Sequence, residues 1–170
     1  MNTANNEKQW ANEMKLSDFV CFEATAPDLQ AGDRDTAIIE LVSLLGQAGQ
    51  LGKAKKSQIQ KEVIKRENEA STGMGKGVAV PHVKHKAVKD VAAAIGLSHR
   101  GIDFSALDKQ PVYSIILLVS PTENPDQHLQ AMECVFTHLQ REKFRKFLRQ
   151  CRTPEQIKDL LLEADEDPTL

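Results

Sequence analysis

Val112-Tyr113-Ser114-Ile115-Ile116-Leu117-Leu118-Val119 is the strongest strand signal in the chain. Nearly every residue of this stretch is apolar, and branched side chains dominate it. Such a continuous apolar run is typical of a central strand that helices cover on both faces, because neither face can then carry polar residues. The stretch therefore predicts the middle strand of an α/β sheet.

Shorter patterns before this stretch predict further strands and two helices. The predicted strands are residues 19–22, 77–80 and 91–97. Asp33 is a suitable cap for a helix whose inward positions follow the helical period: Ala37, Ile38, Leu41, Val42 and Leu45. Ser57 and Gln60 have the spacing of a capping box and predict a second helix that ends near Glu69. Its predicted inner face is Ile59, Val63 and Ile64.

Three more helices are predicted after the central strand. Asn124 caps the first, with Pro125 at its first position and Gln127 completing a capping box. Its predicted buried stripe is Leu129, Met132, Phe136 and Leu139. The next helix carries Phe144, Phe147, Leu148 and Cys151, and Thr153 to Gln156 start the last by the same cap chemistry. Together, the predicted strands and helices indicate a single-domain α/β sandwich, in which helices flank a mixed and mostly parallel sheet.

Composition limits the class of protein. The chain has 170 residues and a formal net charge of −2, which fits one domain and offers no basic field for nucleic acid. No apolar run approaches the ~20 residues of a membrane span, and the start lacks a signal-peptide core. The three cysteines, Cys21, Cys134 and Cys151, are widely spaced and are interpreted as small buried hydrophobes of a reducing cytosol. We therefore expect a soluble, cytoplasmic protein.

The chain ends differ in composition from the rest. Residues 1–13 are polar and without periodicity, which predicts a flexible leader that Trp10 would pin. Residues 164–170 are acidic and contain a proline, which predicts a frayed tail. The predicted domain is residues 14–163.

Ser71-Thr72-Gly73-Met74-Gly75-Lys76-Gly77-Val78-Ala79-Val80-Pro81-His82 is the stretch most informative about function. A glycine-rich loop leads into a short strand, which places the imidazole of His82 at a strand end beside many bare backbone N–H groups. A neutral imidazole is a nucleophile, and bare N–H groups suit an anion. This combination predicts a histidine that handles phosphate, although a histidine that merely satisfies a backbone group at a strand end is the common alternative.

Two further residues join this hypothesis. His128 lies in the first turn of a predicted helix, directly after the central strand, where free N–H groups receive anions. Arg66 lies just before the glycine loop and could hold phosphate oxygens with its guanidinium fork. Each has an ordinary alternative, a partly exposed helical histidine and a solvated cation at a helix end. His99 and His138 are predicted to be surface residues, and His82 with His85 lacks the partners of a metal site.

At this point the chain resembles a known family. Arg66-Glu67, Ser71-Thr72-Gly73 and Gly75-x-Gly77-Val78-Ala79-Val80-Pro81-His82 resemble the signature of enzyme IIA domains of the fructose/mannitol class. These belong to the bacterial phosphoenolpyruvate:sugar phosphotransferase system and include the nitrogen-regulatory enzyme IIA proteins. Asp126-x-His128-Leu129 resembles the family's second histidine motif, and the likeness covers roughly residues 14–162.

The resemblance implies a mannitol-type enzyme IIA fold and a phosphohistidine at His82. The phosphoryl donor would be the carrier protein HPr or its nitrogen-branch paralogue, and the acceptor a IIB protein or a regulatory target. His128 would hydrogen-bond the phosphoryl group and Arg66 would balance its charge. Transfer between imidazoles needs positioning and charge stabilisation, so we expect neither a cofactor nor a metal.

Three functional hypotheses follow from these residues. The leading one is a phosphocarrier of phosphotransferase-system regulation. The alternatives are a transport component that passes phosphate to a IIB partner, and a IIA-like binding module that has lost phosphotransfer. Val83 is the one departure, because the family has a small residue directly after the active histidine. Its branched side chain is expected to narrow the approach of the donor.

Overall fold

A six-stranded mixed sheet forms the centre of the computed structural model, which describes residues 13–170. In chain order the elements are α1 (Leu16–Phe19), β1 (Val20–Ala26), α2 (Arg34–Gln47), α3 (Lys56–Glu69), β2 (Gly73–Gly75), β3 (Val78–Ala79), β4 (His82–His85), β5 (Ala92–Ile102), β6 (Val112–Pro121), α4 (Pro125–Leu139), α5 (Glu142–Gln150) and α6 (Pro154–Glu166).

The strand order confirms the predicted mixed, mostly parallel sheet. It runs β1-β5-β6-β3-β2, and β4 also pairs with β6. β1 is parallel to β5, and both β3 and β4 are parallel to β6. β5 with β6, and β2 with β3, are antiparallel. β6 therefore lies between β5 and the β3–β4 line, which confirms it as the central strand.

β3 and β4 form one interrupted strand along β6. Val78 pairs with Ser114 and His82 pairs with Leu118, so the register is the same before and after the break. Pro81 lies in the break because it has no N–H to donate, but its carbonyl accepts from the Leu118 N–H at 2.9 Å. The prediction that His82 ends a strand is therefore wrong, since it begins β4 and continues the line.

Alternation along β6 divides the interior into two cores. Ile116 and Leu118 face a core built with α1, α4, α5 and α6. Ile115, Leu117 and Val119 face a second core built with α2 and α3. Because successive strand residues point to opposite faces, an unbroken apolar run is what a strand between two helical layers requires. The α/β sandwich is thus confirmed.

The predicted helix caps are confirmed in three of four cases. The side chains of Asp33, Asn124 and Thr153 each accept the backbone N–H three residues later. The α2 stripe, predicted from the helical period, is fully buried. The capping box predicted at Ser57 is wrong: α3 already begins at Lys56, and its cap residue Lys55 makes no side-chain cap bond.

Some residues lie on the other side of their helix from the prediction. Leu129 is 61% exposed, so it does not belong to the buried stripe predicted for α4. His128 is buried in place of Leu129, which rotates the inner face of α4 toward a polar residue. His138 is also buried, against the surface prediction, with Nδ1 at 2.8 Å from the Cys134 carbonyl oxygen.

The carboxyl-terminal residues pack against the domain. α6 continues to Glu166, Ala164 and Leu170 are buried, and Arg141 donates to the Leu170 carbonyl at 3.1 Å. The frayed tail predicted for residues 164–170 is therefore wrong, because apolar burial holds both of its ends. The predicted leader with Trp10 lies outside the described residues, apart from residue 13.

The three cysteines differ in burial. Cys134 and Cys151 are buried as predicted, whereas Cys21 is half-buried. Burial raises the pKa of the Cys134 thiol to about 12. No helix within residues 13–170 combines the length and the apolar character needed to cross a membrane.

Gly96 of β5 packs directly against the side chains of Leu29 and Leu41. A Cβ at this position would lie 2.8 Å from Leu29 and 2.9 Å from Leu41, both in the second core. Gly96→Ala should therefore lower the free energy of unfolding by ~1–3 kcal/mol through overpacking. Gly32→Ala is the matched control, because nothing lies within 4 Å of its added Cβ. Urea denaturation measures both, and an equal loss in the two variants would contradict the packing argument.

Candidate functional site

A hydrogen bond to the backbone fixes the ring of His82 and leaves its Nε2 atom free. Its Nδ1 lies 2.9 Å from the carbonyl oxygen of Val80. A carbonyl only accepts hydrogen bonds, so Nδ1 must carry the ring proton. The neutral ring then has its lone pair on Nε2, and the half-buried side chain leaves this atom room to react. This geometry is that of an oriented imidazole nucleophile.

His128 lies beside His82, as the hypothesis requires. The two ring centroids are 5.7 Å apart. His82 pairs with Leu118 of β6, and Leu118 packs in the core that contains α4. Both histidines therefore lie on the same face of the sheet, one on β4 and the other in the first turns of α4.

Ser120 orients His128, and the sequence analysis did not identify it. The hydroxyl of Ser120 lies 2.7 Å from His128 Nδ1, and both residues are buried. Ser120 follows Leu118 by two residues and so points to the same face as His82. When the hydroxyl donates to Nδ1, the proton of the His128 ring is on Nε2 and is available to an acceptor in the site. Its sequence signal is a polar residue directly after the apolar run that ends at Val119.

Burial keeps His128 uncharged. It lowers the pKa of His128 from 6.5 to about 4, and the positive charges of His82, when its ring is protonated, and of Lys84 act in the same direction. At neutral pH the ring is therefore a neutral hydrogen-bonding group. Lys84 pairs with Ser120 across the strands and is exposed, so it adds a fixed positive charge on the same face.

Arg66 lies on α3, which packs against β4. Its Nη1 donates to the carbonyl of Ala70 at 3.1 Å, which directs the guanidinium past the helix end toward the glycine segment. Among the described residues its hydrogen bond goes to this carbonyl and not to either histidine. The structure thus brings His82 and His128 into contact, and places Arg66 on a neighbouring element with N–H groups to spare.

Glu67 is a second residue that the sequence analysis left without a role. Its side chain is buried and accepts from the backbone N–H and the hydroxyl of Thr72, each at 2.7 Å. The Thr72 carbonyl in turn accepts from Val80 N–H at 3.2 Å. Since the Val80 carbonyl holds the ring of His82, Glu67 connects the end of α3 to the residue that orients His82.

The glycine segment makes a hairpin instead of an anion cradle. β2 and β3 are joined by Lys76 and Gly77, with φ of 59° and 77°, as a two-residue hairpin turn of the primed type requires. The N–H groups of Gly73 and Lys76 are bonded to Ser71 and Asp108. The prediction that this loop offers bare N–H groups to a phosphate is wrong at these two positions.

Val83 lies on the opposite face of the sheet from His82. It packs against the second core, because neighbouring residues of a strand alternate between faces. Val83 therefore does not narrow the approach to His82 from the side on which His128 lies, and the prediction is wrong for that side. The same alternation separates His82 from His85, whose Nδ1 accepts from the Ala87 N–H at 3.0 Å. Residues 13–170 contain no group of three metal-ligating side chains.

Comparison with protein families agrees with this arrangement of fold and site. Residues 22–164 match the family model described as "Phosphoenolpyruvate-dependent sugar phosphotransferase system, EIIA 2". The chain belongs to this family. The match begins within β1 and includes β2 to β6, which form the rest of the sheet that carries His82, together with α4.

The similar relatives are of two kinds. The chain is 31% identical over 155 residues to the nitrogen regulatory protein of Klebsiella oxytoca, covering 89% of this chain and 92% of that protein. It is 29% identical over 152 residues to the fructose-specific EIIABC component of Bacillus subtilis. That alignment covers 89% of this chain but only 24% of the relative's length.

Solved structures share the fold. The nitrogen regulatory protein IIA-Ntr of Neisseria meningitidis superposes with a TM-score of 0.78 at 23% identity, covering 86% of this chain and 98% of that one. The mannitol IIA protein of Escherichia coli superposes with a TM-score of 0.69 at 18% identity, covering 82% and 96%. The predicted mannitol-type enzyme IIA fold is thus confirmed.

The protonation of His128 can be tested by NMR. We expect its ring to titrate with a pKa of about 4. Because this pKa is below the unfolded value of 6.5, the unfolded state binds the proton first as the pH falls. The His128 contribution to stability is therefore complete above pH 6.5 and is lost between pH 6.5 and 4.

The free energy of unfolding should fall less steeply between pH 6.5 and 4 in His128→Gln than in the natural chain. A His128 ring that titrates near 6.5 would contradict the argument from burial.

Proposed function

We propose that this protein is a phosphocarrier that accepts a phosphoryl group on Nε2 of His82. The observation that carries the proposal is the Nδ1 contact of His82 with the Val80 carbonyl, which leaves Nε2 unprotonated beside a neutral His128. Membership of the enzyme IIA family supports the same chemistry. The donor is a phosphohistidine of an HPr-like carrier protein, and the exchange takes place in the cytoplasm.

The transfer needs no metal or cofactor among the reacting groups. The lone pair of Nε2 forms a bond to phosphorus while the bond from phosphorus to the donor imidazole breaks, and the donor nitrogen recovers its electron pair. Such loose transition states require alignment and charge stabilisation more than covalent help. A phosphoryl group brings about two negative charges. Arg66 and Lys84 balance them, and the Nε2–H of His128 donates to a phosphoryl oxygen.

A regulatory role is the proposal that the relatives favour. The nitrogen regulatory protein of Bradyrhizobium diazoefficiens is 29% identical over 148 residues, which cover 87% of this chain and 95% of that protein. The match to the multidomain fructose component is confined to 24% of its length. We therefore propose a phosphorylation state that reports on the phosphotransferase system to a target protein.

Transport is the second candidate, and a specific observation favours it. A mannitol IIA protein of similar fold, with a TM-score of 0.70 at 17% identity, has been solved in complex with phosphorylated enzyme IIB. In that case a IIB protein would receive the phosphoryl group from His82. The third candidate, a module that has lost phosphotransfer, depended on Val83, whose position on the far face of the sheet removes that support.

Phosphorylation by the purified carrier system tests the proposal. Incubation with phosphoenolpyruvate, enzyme I and an HPr-like carrier should give an acid-labile phosphate on the protein, and His82→Ala should abolish it. His99→Ala is the matched control, because it removes an exposed histidine outside the site and should label normally. Labelling that persists in His82→Ala would disprove the site. A chain that no HPr-like or nitrogen-branch carrier labels would be a binding module.

His128→Ala should slow labelling or shorten the lifetime of the phosphorylated protein without abolishing phosphorylation. Loss of one hydrogen bond to a charged group costs ~1.5–3 kcal/mol, which corresponds to roughly a tenfold to hundredfold change in rate. Quenched-flow labelling and the decay of isolated phosphoprotein measure the two effects. Rates and lifetime equal to those of the natural chain would contradict the role given to His128.

A further inference from the structure

A cavity lies on the same face of the sheet as His82, at the other end of the strands. Its volume is about 460 Å³, which falls within the range of sites for small molecules. Val78 and Ser114, a paired position of β3 and β6, form part of its floor. His82 pairs four residues further along β6, at Leu118, so the cavity is separate from the phosphorylation site.

The cavity is strongly basic in a protein of net negative charge. Five cationic side chains and one carboxylate, Glu142, line it. The cations are Lys76, Arg145, Lys146, Arg149 and Arg152. The two ion pairs found among residues 13–170, Lys15 with Glu166 and Arg34 with Asp35, involve none of them. Several positive charges thus converge here without a carboxylate bound to them within the described chain.

Packing fixes an aromatic wall in this cavity. The guanidinium of Arg149 lies over the ring of Tyr113, 3.5 Å from its centroid. The other contacts of the ring include Gly77 and Gly101, both with positive φ; a Cβ on them would lie 3.2 Å and 3.0 Å from ring atoms. The cation and the ring are therefore held in one orientation.

Backbone bonds also position part of the basic wall. Arg152 Nη1 donates to the carbonyls of Arg149 and Cys151, each at 3.2 Å, and lies 3.1 Å from His99 Nδ1. Arg145 Nη1 donates to the Leu139 carbonyl at 2.8 Å. These bonds use one nitrogen of each guanidinium, and the remaining N–H groups can form paired bonds with an oxyanion.

We propose that this cavity binds a phosphorylated metabolite, with its phosphate on the arginines and its remaining part in the rest of the cavity. A phosphate group carries about −1.5 to −2 charges, which suits several convergent cations better than a single carboxylate would. The volume admits more than an isolated phosphate ion. The site is independent of the phosphohistidine at His82, and the two can be tested separately.

Pyrophosphate and glucose 6-phosphate are the probes, each titrated into isotope-labelled protein at constant ionic strength with chloride as the reference anion. We expect saturable amide shifts at residues of the cavity, also in His82→Ala. Arg149→Gln should weaken binding about tenfold, as expected for loss of a charge-assisted hydrogen bond. Lys146→Gln, at an exposed position of the same wall, provides a second variant if Arg149→Gln unfolds.

Lys61→Gln is the matched control, because it removes one exposed positive charge from α3, outside the cavity. It should leave the affinity unchanged, and all three variants should accept phosphate on His82 normally. Shifts that follow only ionic strength, or that occur only around His82 and disappear in His82→Ala, would overturn the proposal. So would binding to phosphatidylglycerol vesicles without binding to either soluble phosphate, since the surface would then serve a membrane.

Discussion

The pairing of the interrupted β3–β4 strand with β6 is the constraint on which the site depends. Pro81 breaks the ladder without shifting the register, so His82 still pairs with Leu118. Because side chains alternate between faces, a slip of one residue would turn His82 toward α3 and bring Val83 to His128. The register thus decides which of the two residues, His82 or Val83, faces His128 and which one packs against the second core.

Two buried polar contacts hold the site within this frame. Glu67 accepts two hydrogen bonds from Thr72, whose carbonyl bonds the residue that orients His82. The hydroxyl of Ser120 is a hydrogen-bond partner for the buried ring of His128, which lies on the inner face of α4 where the helical pattern favours an apolar residue. A buried polar group without such a partner would cost ~1–3 kcal/mol, so each contact stabilises the fold and orients a reactive ring at the same time.

The sequence predicted the central strand and the two histidines, but not how they are held. The apolar run to Val119 could belong only to a strand covered on both faces. The stripe of α4 failed at Leu129 because helical periodicity counts apolar residues, whereas burial of His128 depends on a hydroxyl from another element. The glycine loop was interpreted as a phosphate cradle because glycine spacing does not distinguish that use from the positive φ of a hairpin turn. The buried end at Leu170 depends on tertiary contacts that local composition does not encode.

The neutrality of His128 bears on what a carrier must do. A phosphocarrier has to accept a phosphoryl group and release it again, so a site that bound the group very tightly would trap it. A protonated His128 would add a full charge at low dielectric near Lys84, where Coulomb attraction to a phosphoryl group is strong. Burial lowers its pKa to about 4 and leaves one directional hydrogen bond. In the transfer proposed above, that bond aligns the phosphoryl group and limits how far the phosphorylated state is stabilised relative to the next acceptor.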